Sequence, residues 1–155
     1  MAPVLVLAAG NPSRGDDALG PGLAARLEAA ALPGVEVITE FQLQVENALD
    51  LVGRDCVFFV DAGTGTPAPF ELRPARPEAD FLHTSHALSA EAVLATYERV
   101  QGAPAPEAWV LCVRGESFEL GEPLSVAAAS RLEAAWQELY RRVEAAVARC
   151  QTSQP

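Results

Sequence analysis

Cysteine and histidine are scarce in this 155-residue chain, with three of the first and two of the second, and long apolar runs are missing altogether. Cys56, Cys112 and Cys150 form an odd set without any C-x-x-C pair, which argues against a disulfide framework. Cys56 and Cys112 sit in or beside apolar stretches, where free cysteine behaves as a small buried hydrophobe, so reduced structural thiols are expected. No stretch approaches the roughly 18 to 20 apolar residues of a membrane helix, and the N-terminus lacks the basic start and cleavage site of a secretory signal. A cytoplasmic protein that does not engage a membrane is therefore expected. Basic residues are few as well: 11 Lys plus Arg face 21 Asp plus Glu, for a net charge of −10. Such a surface repels phosphate backbones and anionic lipids, which excludes nucleic acid as a ligand and favours a basic partner surface. Three catalytic signatures are also missing. There is no G-x-S-x-G elbow, no G-x-x-x-x-G-K-[ST] loop, and no G-x-G-x-x-G after the first strand. A small-molecule hydrolase or phosphorylase would need an anion pocket, for which Arg14 is the only cation near the first turn.

What is present is a regular alternation of strand and helix signals. "VLVLAA" (4–9) is a short continuous apolar run closed by Gly10-Asn11-Pro12, the pattern of a strand buried on both faces. A helix is expected from Asp16 or Asp17, with Leu19, Leu23 and Leu27 on one face and Pro33-Gly34 as its stop. "VEVITE" (35–40) reads as a strand, 45–53 as a short helix, and "CVFFVDA" (56–62) as the most strongly β-prone run. The Pro-, Thr- and Gly-rich stretch 63–77 reads as a loop with a short edge strand at "FELR", for which antiparallel pairing is one option. A helix over about 89–101, with Ala92, Val93 and Tyr97 on one face, precedes a last strand at 108–114. Ser125 opens a long helix with Leu132, Trp136, Leu139, Val143 and Val147 at helical spacing. The expectation is an α/β fold of three layers, a mainly parallel sheet of about five strands with helices on both faces. Residues 1–150 form one domain in this reading, and 151–155 a frayed tail. No internal repeat or linker is visible.

In an open parallel sheet, ligands bind beyond the carboxyl ends of the strands. Three polar groups converge there: Asp16 and Asp17 after the first strand, Asp61 at the tip of "CVFFV", and His83 and His86 in "LHTSH" before a helix. Two carboxylates and an imidazole drawn from separate segments suit a divalent transition metal. Each residue also has a structural reading. Asp16 has the chemistry of a helix N-cap, which leaves Asp17 to project into the cleft. A turn role stays open for Asp61, and helix-capping or surface roles for His83 and His86.

"VLVLAAGNPSRGDDALGPGLA", "VFFVDA", "HTSHALS" and "GESFELGEPLS", in this order, resemble the nickel-iron hydrogenase maturation endopeptidases. The combination of G-N-x-x-x-G-D-D, a strand ending in V-D-A, and S-H before a helix spans most of the chain. The resemblance implies a protease that trims a C-terminal extension from the hydrogenase large-subunit precursor once nickel has been inserted. It implies Asp17, Asp61 and His86 as the metal-contacting and catalytic positions, with Asp16 as cap, support or candidate base, and nickel supplied by the precursor. Ala8-Ala9, Ala18 and "TEFQLQVE" depart from glycine-containing stretches in relatives. The alternative is a non-catalytic nickel-binding module or a chaperone for a metalloenzyme subunit, which would use the same three ligands without cutting.

Overall fold

The run "VLVLAA" forms β1 (Val4–Ala9), and its first five residues are fully buried. The computed structural model describes residues 1–78 and 88–152. β1 is flanked by two parallel neighbours, β2 (Val35–Glu40) and β3 (Cys56–Gly63). β5 (Glu107–Arg114) pairs parallel with β3, and β4 (Phe70–Ala75) closes the edge antiparallel to β5, giving the order β2-β1-β3-β5-β4. Parallel neighbours need crossovers, and the helices supply them.

Alternating side chains of the central strands feed two separate cores. Val4, Val6, Phe58 and Val60 face α1 (Leu19–Ala30) and α3 (Val126–Thr152). Leu5, Leu7, Val57 and Phe59 face α2 (Ala90–Gln101) and a 3₁₀ helix at Val45–Leu51. The three-layer α/β expectation is borne out. Helix ends follow local chemistry. The Ser89 side chain caps α2 by accepting from the Ala92 N–H at 3.1 Å, and Gly102, at φ +64°, ends it in the left-handed region. No helix among the described residues is long and apolar enough to cross a membrane.

Several details differ from the sequence pattern. The helix expected from Asp16 or Asp17 opens with a 3₁₀ turn at Gly15–Ala18, and α1 proper begins at Leu19. The helix expected over 45–53 is the 3₁₀ helix. On α3 the buried stripe includes Ala128, Ala135 and Ala146 between Leu132, Leu139 and Val143. Trp136 is only half-buried, and its ring packs on Tyr140 with centroids 5.5 Å apart. The same helix runs to Thr152, into the stretch expected to fray.

Candidate active site

The chain places β2 on one side of β1 and β3 on the other, so strand order reverses at β1. At such a switch point the flanking connections part, and a crevice opens beyond the carboxyl ends of the strands. β1 stops pairing with β3 at Ala8↔Val60, whereas the β3–β5 ladder continues to Gly63↔Arg114. Asp61 is thus the first β3 residue without a β1 partner. It lies within the strand, where the sequence pattern had put it at the tip.

The glycines of "GNPSRGDDAL" shape the other wall. Gly10 has φ +150°, and a Cβ on it would lie 2.1 Å from the Asp17 carbonyl oxygen. Gly15 has φ +51°, with the Ser117 carbonyl oxygen 2.5 Å from where a Cβ would be. Only glycine fits either position. Inside this loop the Asn11 N–H donates to Asp17 Oδ2 at 2.7 Å, and the Ser13 N–H donates to Asn11 Oδ1 at 2.9 Å. Asp17 is therefore oriented by the motif's own asparagine.

Asp16 does not cap its own helix; the residue before the 3₁₀ turn is Arg14, which makes no side-chain cap. Its fully buried carboxylate instead reaches across the molecule. Oδ2 accepts from the Glu116 N–H at 2.7 Å and the Ser125 hydroxyl at 2.8 Å, and Oδ1 accepts from the Ser125 N–H at 2.8 Å. The Ser125 hydroxyl oxygen in turn accepts from the Ala128 N–H at 3.1 Å, capping α3. Backbone bonds reinforce the seam: the Gly15 N–H donates to the Glu122 carbonyl, the Asp16 N–H to that of Ser117, and the Gly121 N–H to that of Ser13. Burial works to raise the Asp16 pKa. The bonds from Glu116, Ser125 and Ser117 outweigh it and hold this carboxyl below its ordinary value.

Asp17 and Asp61 line one cavity, with Gly10, Phe41, Leu43 and Leu88 around them. Asp61 also borders an adjoining cavity floored by Leu7, Phe59 and Val110 and edged by Arg73 and Glu91. Its Oδ1 is buried and has no hydrogen-bond partner among the described residues. Burial pushes the Asp61 pKa up to about 6, against the Cys112 thiol and the Arg73 guanidinium, which lower it; the charges of Asp17 and Glu91 add to the rise. Such a carboxylate is short of a cation or a proton.

The structure thus brings together Asp17 and Asp61 and sets Asp16 behind them as a tie. His83 and His86 lie outside the described residues. Among the described residues no three metal-binding side chains cluster. The cation beside the site is Arg73 on edge strand β4, ion-paired with Glu91 and with Glu71, while Arg14 is exposed. Arg73 and Cys112 were not legible as site residues. The cue for Cys112 was the parallel register, which sets it beside Asp61.

Comparison with solved structures then places the architecture. The hydrogenase maturating endopeptidase HybD from E. coli superposes with a TM-score of 0.74 at 22% identity, over 92% of this chain and 93% of that one. The fold is that of the hydrogenase maturation endopeptidases. The [NiFe] hydrogenase maturation protease HycI from Thermococcus kodakarensis gives 0.69 at 23% identity, over 92% and 93% of the two chains. An endopeptidase from Escherichia coli gives 0.68 at 24% identity, over 88% of each. No protein-family model matches the sequence, and no curated protein matches it.

Proposed function

We propose that this protein is an endopeptidase that removes a C-terminal extension from the nickel-loaded large-subunit precursor of a hydrogenase. The observation that carries the reading is the meeting of Asp17 and Asp61 in one crevice at the switch point, with one Asp61 oxygen buried and unpartnered among the described residues. The shared fold supports it. The metal belongs to the substrate. Asp17, Asp61 and His86 form an incomplete donor set, suited to a cation that arrives already held by substrate thiolates. Recognition then doubles as a check that nickel has been inserted. Bound in this way, the metal supplies Lewis acidity toward the scissile carbonyl or the attacking water.

The three carboxylates divide the work. Both oxygens of Asp16 are committed to Ser125 and Glu116, so its role is to hold the 10–17 loop in place, not to move protons. Asp17 keeps one oxygen clear of the Asn11 bond, and Asp61 combines an oxygen without a partner among the described residues with a pKa raised toward the working range of a general base. None of the three cysteines forms a disulfide, which fits a reducing compartment, and we place the protein in the cytoplasm.

The test is incubation with nickel-loaded and nickel-free precursor, read by mass spectrometry for loss of a C-terminal peptide. Cleavage of the loaded form alone is expected. Equal cleavage of both would sink nickel recognition. No cleavage of either, together with tight nickel binding by the isolated protein, would favour a non-catalytic nickel module.

A further inference from the structure

Of the eight large apolar side chains exposed among the described residues, four come from the segment that leaves the crevice and from the helix packed against it: Phe41, Val45, Leu49 and Val100. Phe41, 71% exposed, lines the cavity that Asp17 and Asp61 share. Four residues on, Val45 enters a second groove, walled by Ala48 and Leu49 of the 3₁₀ helix Val45–Leu51 and by Tyr97 and Val100 of α2. Both helices already bury one face, through Ala48 and Leu51 on the first and Val93 and Leu94 on α2. The outward face of each should then be polar, yet Leu49 and Val100 are 62% and 63% exposed. Apolar side chains gathered on a surface in this way mark a place where another surface fits.

The groove is fixed in shape and mainly negative in charge. The buried Asn47 side chain accepts from the Gln44 N–H at 2.8 Å and donates to Asp50 Oδ2 at 3.0 Å, and the Leu88 N–H donates to the Leu43 carbonyl. These bonds tie the stretch from Phe41 to Leu49 to itself and to the approach to α2. No lysine, arginine or histidine occurs between Arg26 and Arg54, whereas Glu46 lines the groove and Asp50 follows it. On α2 the single Arg99 stands against Glu91 and Glu98.

We propose that this groove, reached from the crevice past Phe41, docks the body of the large-subunit precursor through an apolar surface flanked by lysine or arginine. Continuity with the crevice names the occupant: a substrate whose metal sits between Asp17 and Asp61 extends over Phe41, and the groove opens four residues further along the chain. The acidic border names its chemistry. A donor set that recognises nickel alone does not tell one nickel protein from another, so selection falls to contacts away from the metal. The inference rests on the endopeptidase reading above.

The test uses the whole protein with nickel-loaded precursor, and measures kcat, KM, melting temperature and oligomeric state. Leu49→Asp and Val100→Asp are each expected to raise KM about tenfold with kcat and melting temperature little changed, the signature of binding made equally in ground and transition states. Glu46→Lys is expected to raise KM several-fold, by an amount that shrinks as salt is added. Ala134→Asp, on the exposed face of α3 across the sheet, is expected to keep the wild-type KM. Unchanged KM in Leu49→Asp and Val100→Asp, beside an active wild type, would overturn the docking surface and leave the endopeptidase reading intact. With KM unchanged, a fall in melting temperature would assign the groove to packing within the chain, and a wild-type dimer that these variants dissolve would assign it to a second copy; either overturns the proposal. An equal rise in KM for Ala134→Asp would trace the effect to net charge and overturn it too. A wild type that cleaves no precursor would overturn both readings.

Discussion

Replacing Asp61 by asparagine is expected to stabilise the protein at neutral pH while removing its activity. The folded-state pKa of about 6 stands against an ordinary value of 3.8, a gap of about two units. At about 1.36 kcal/mol per unit, holding this carboxylate ionised in the native crevice costs about 3 kcal/mol. The sign follows from linkage. Below pH 4 both folded and unfolded chains carry the proton, and the penalty is absent. Between pH 4 and 6 the unfolded chain ionises first, stability falls, and above pH 6 the whole penalty is present. Asparagine keeps the shape and cannot ionise. Its amide leaves one polar atom without a partner, at a cost of about 1 kcal/mol. A net gain of about 1 to 2 kcal/mol at pH 7.5 is expected, or about 3 to 6 °C in melting temperature for a chain of this length. At pH 4.5 the gain should vanish or change sign. The assay is urea and thermal denaturation of wild type and variant at both pH values, followed by precursor processing at pH 7.5. Comparing the two proteins cancels the titrating groups that do not interact with Asp61. An Asp61→Asn variant less stable than wild type at pH 7.5, or a difference independent of pH, would refute the electrostatic account.

Asp16 works in the opposite direction. Its folded pKa is depressed, so its stabilisation is present above about pH 4 and is lost as the pH falls through the folded value; acid denaturation of Asp16→Ala should therefore start from a lower plateau and show a shallower loss below pH 4. At neutral pH that variant should lose about 3 kcal/mol in urea titration, because three part-buried backbone or hydroxyl donors lose their acceptor. Asp17→Ala and His86→Ala should each abolish processing in the mass-spectrometric assay with little change in denaturation midpoint, if both act on the substrate as proposed. Trp136→Ala should cost about 2 kcal/mol by denaturation, less than a fully buried tryptophan, since the residue is partly exposed beside Tyr140.

The strand and helix alternation was legible because β1, β3 and β5 carry short apolar runs and α1, α2 and α3 show helical spacing. The sequence could bring Asp17 and Asp61 to the same edge of the sheet because Asp61 follows a run of apolar strand residues and Asp17 belongs to the turn after the first strand, and both line one cavity. Asp16 was misread as a cap because its partners, Glu116 and Ser125, lie about a hundred residues away, and local rules see only the helix it begins. On α3 the spacing picked out the buried Leu132, Leu139, Val143 and Val147 but not the buried alanines at 128, 135 and 146, since alanine is equally at home on a helix surface. Arg73 escaped notice because an edge strand in a Pro-rich stretch carries no periodic signal, and Cys112 because only the register of β5 against β3 sets it beside Asp61.

The seam between residues 10–17 and 115–125 bears on how this site could be moved or rebuilt. The motif loop is not a self-contained cassette: Gly15 leaves room for the Ser117 carbonyl, and the Asp16 carboxylate takes its hydrogen bonds from Glu116, Ser117 and Ser125. Grafted alone onto another parallel sheet, "GNPSRGDDAL" would carry a buried anion with no donors, and Asp17 would lose the frame that aims it. The transplantable unit is two segments about a hundred residues apart, together with the first turn of the last helix. Variation in the second segment should accordingly be read as variation in the site, even though none of its residues lines the crevice that Asp17 and Asp61 share.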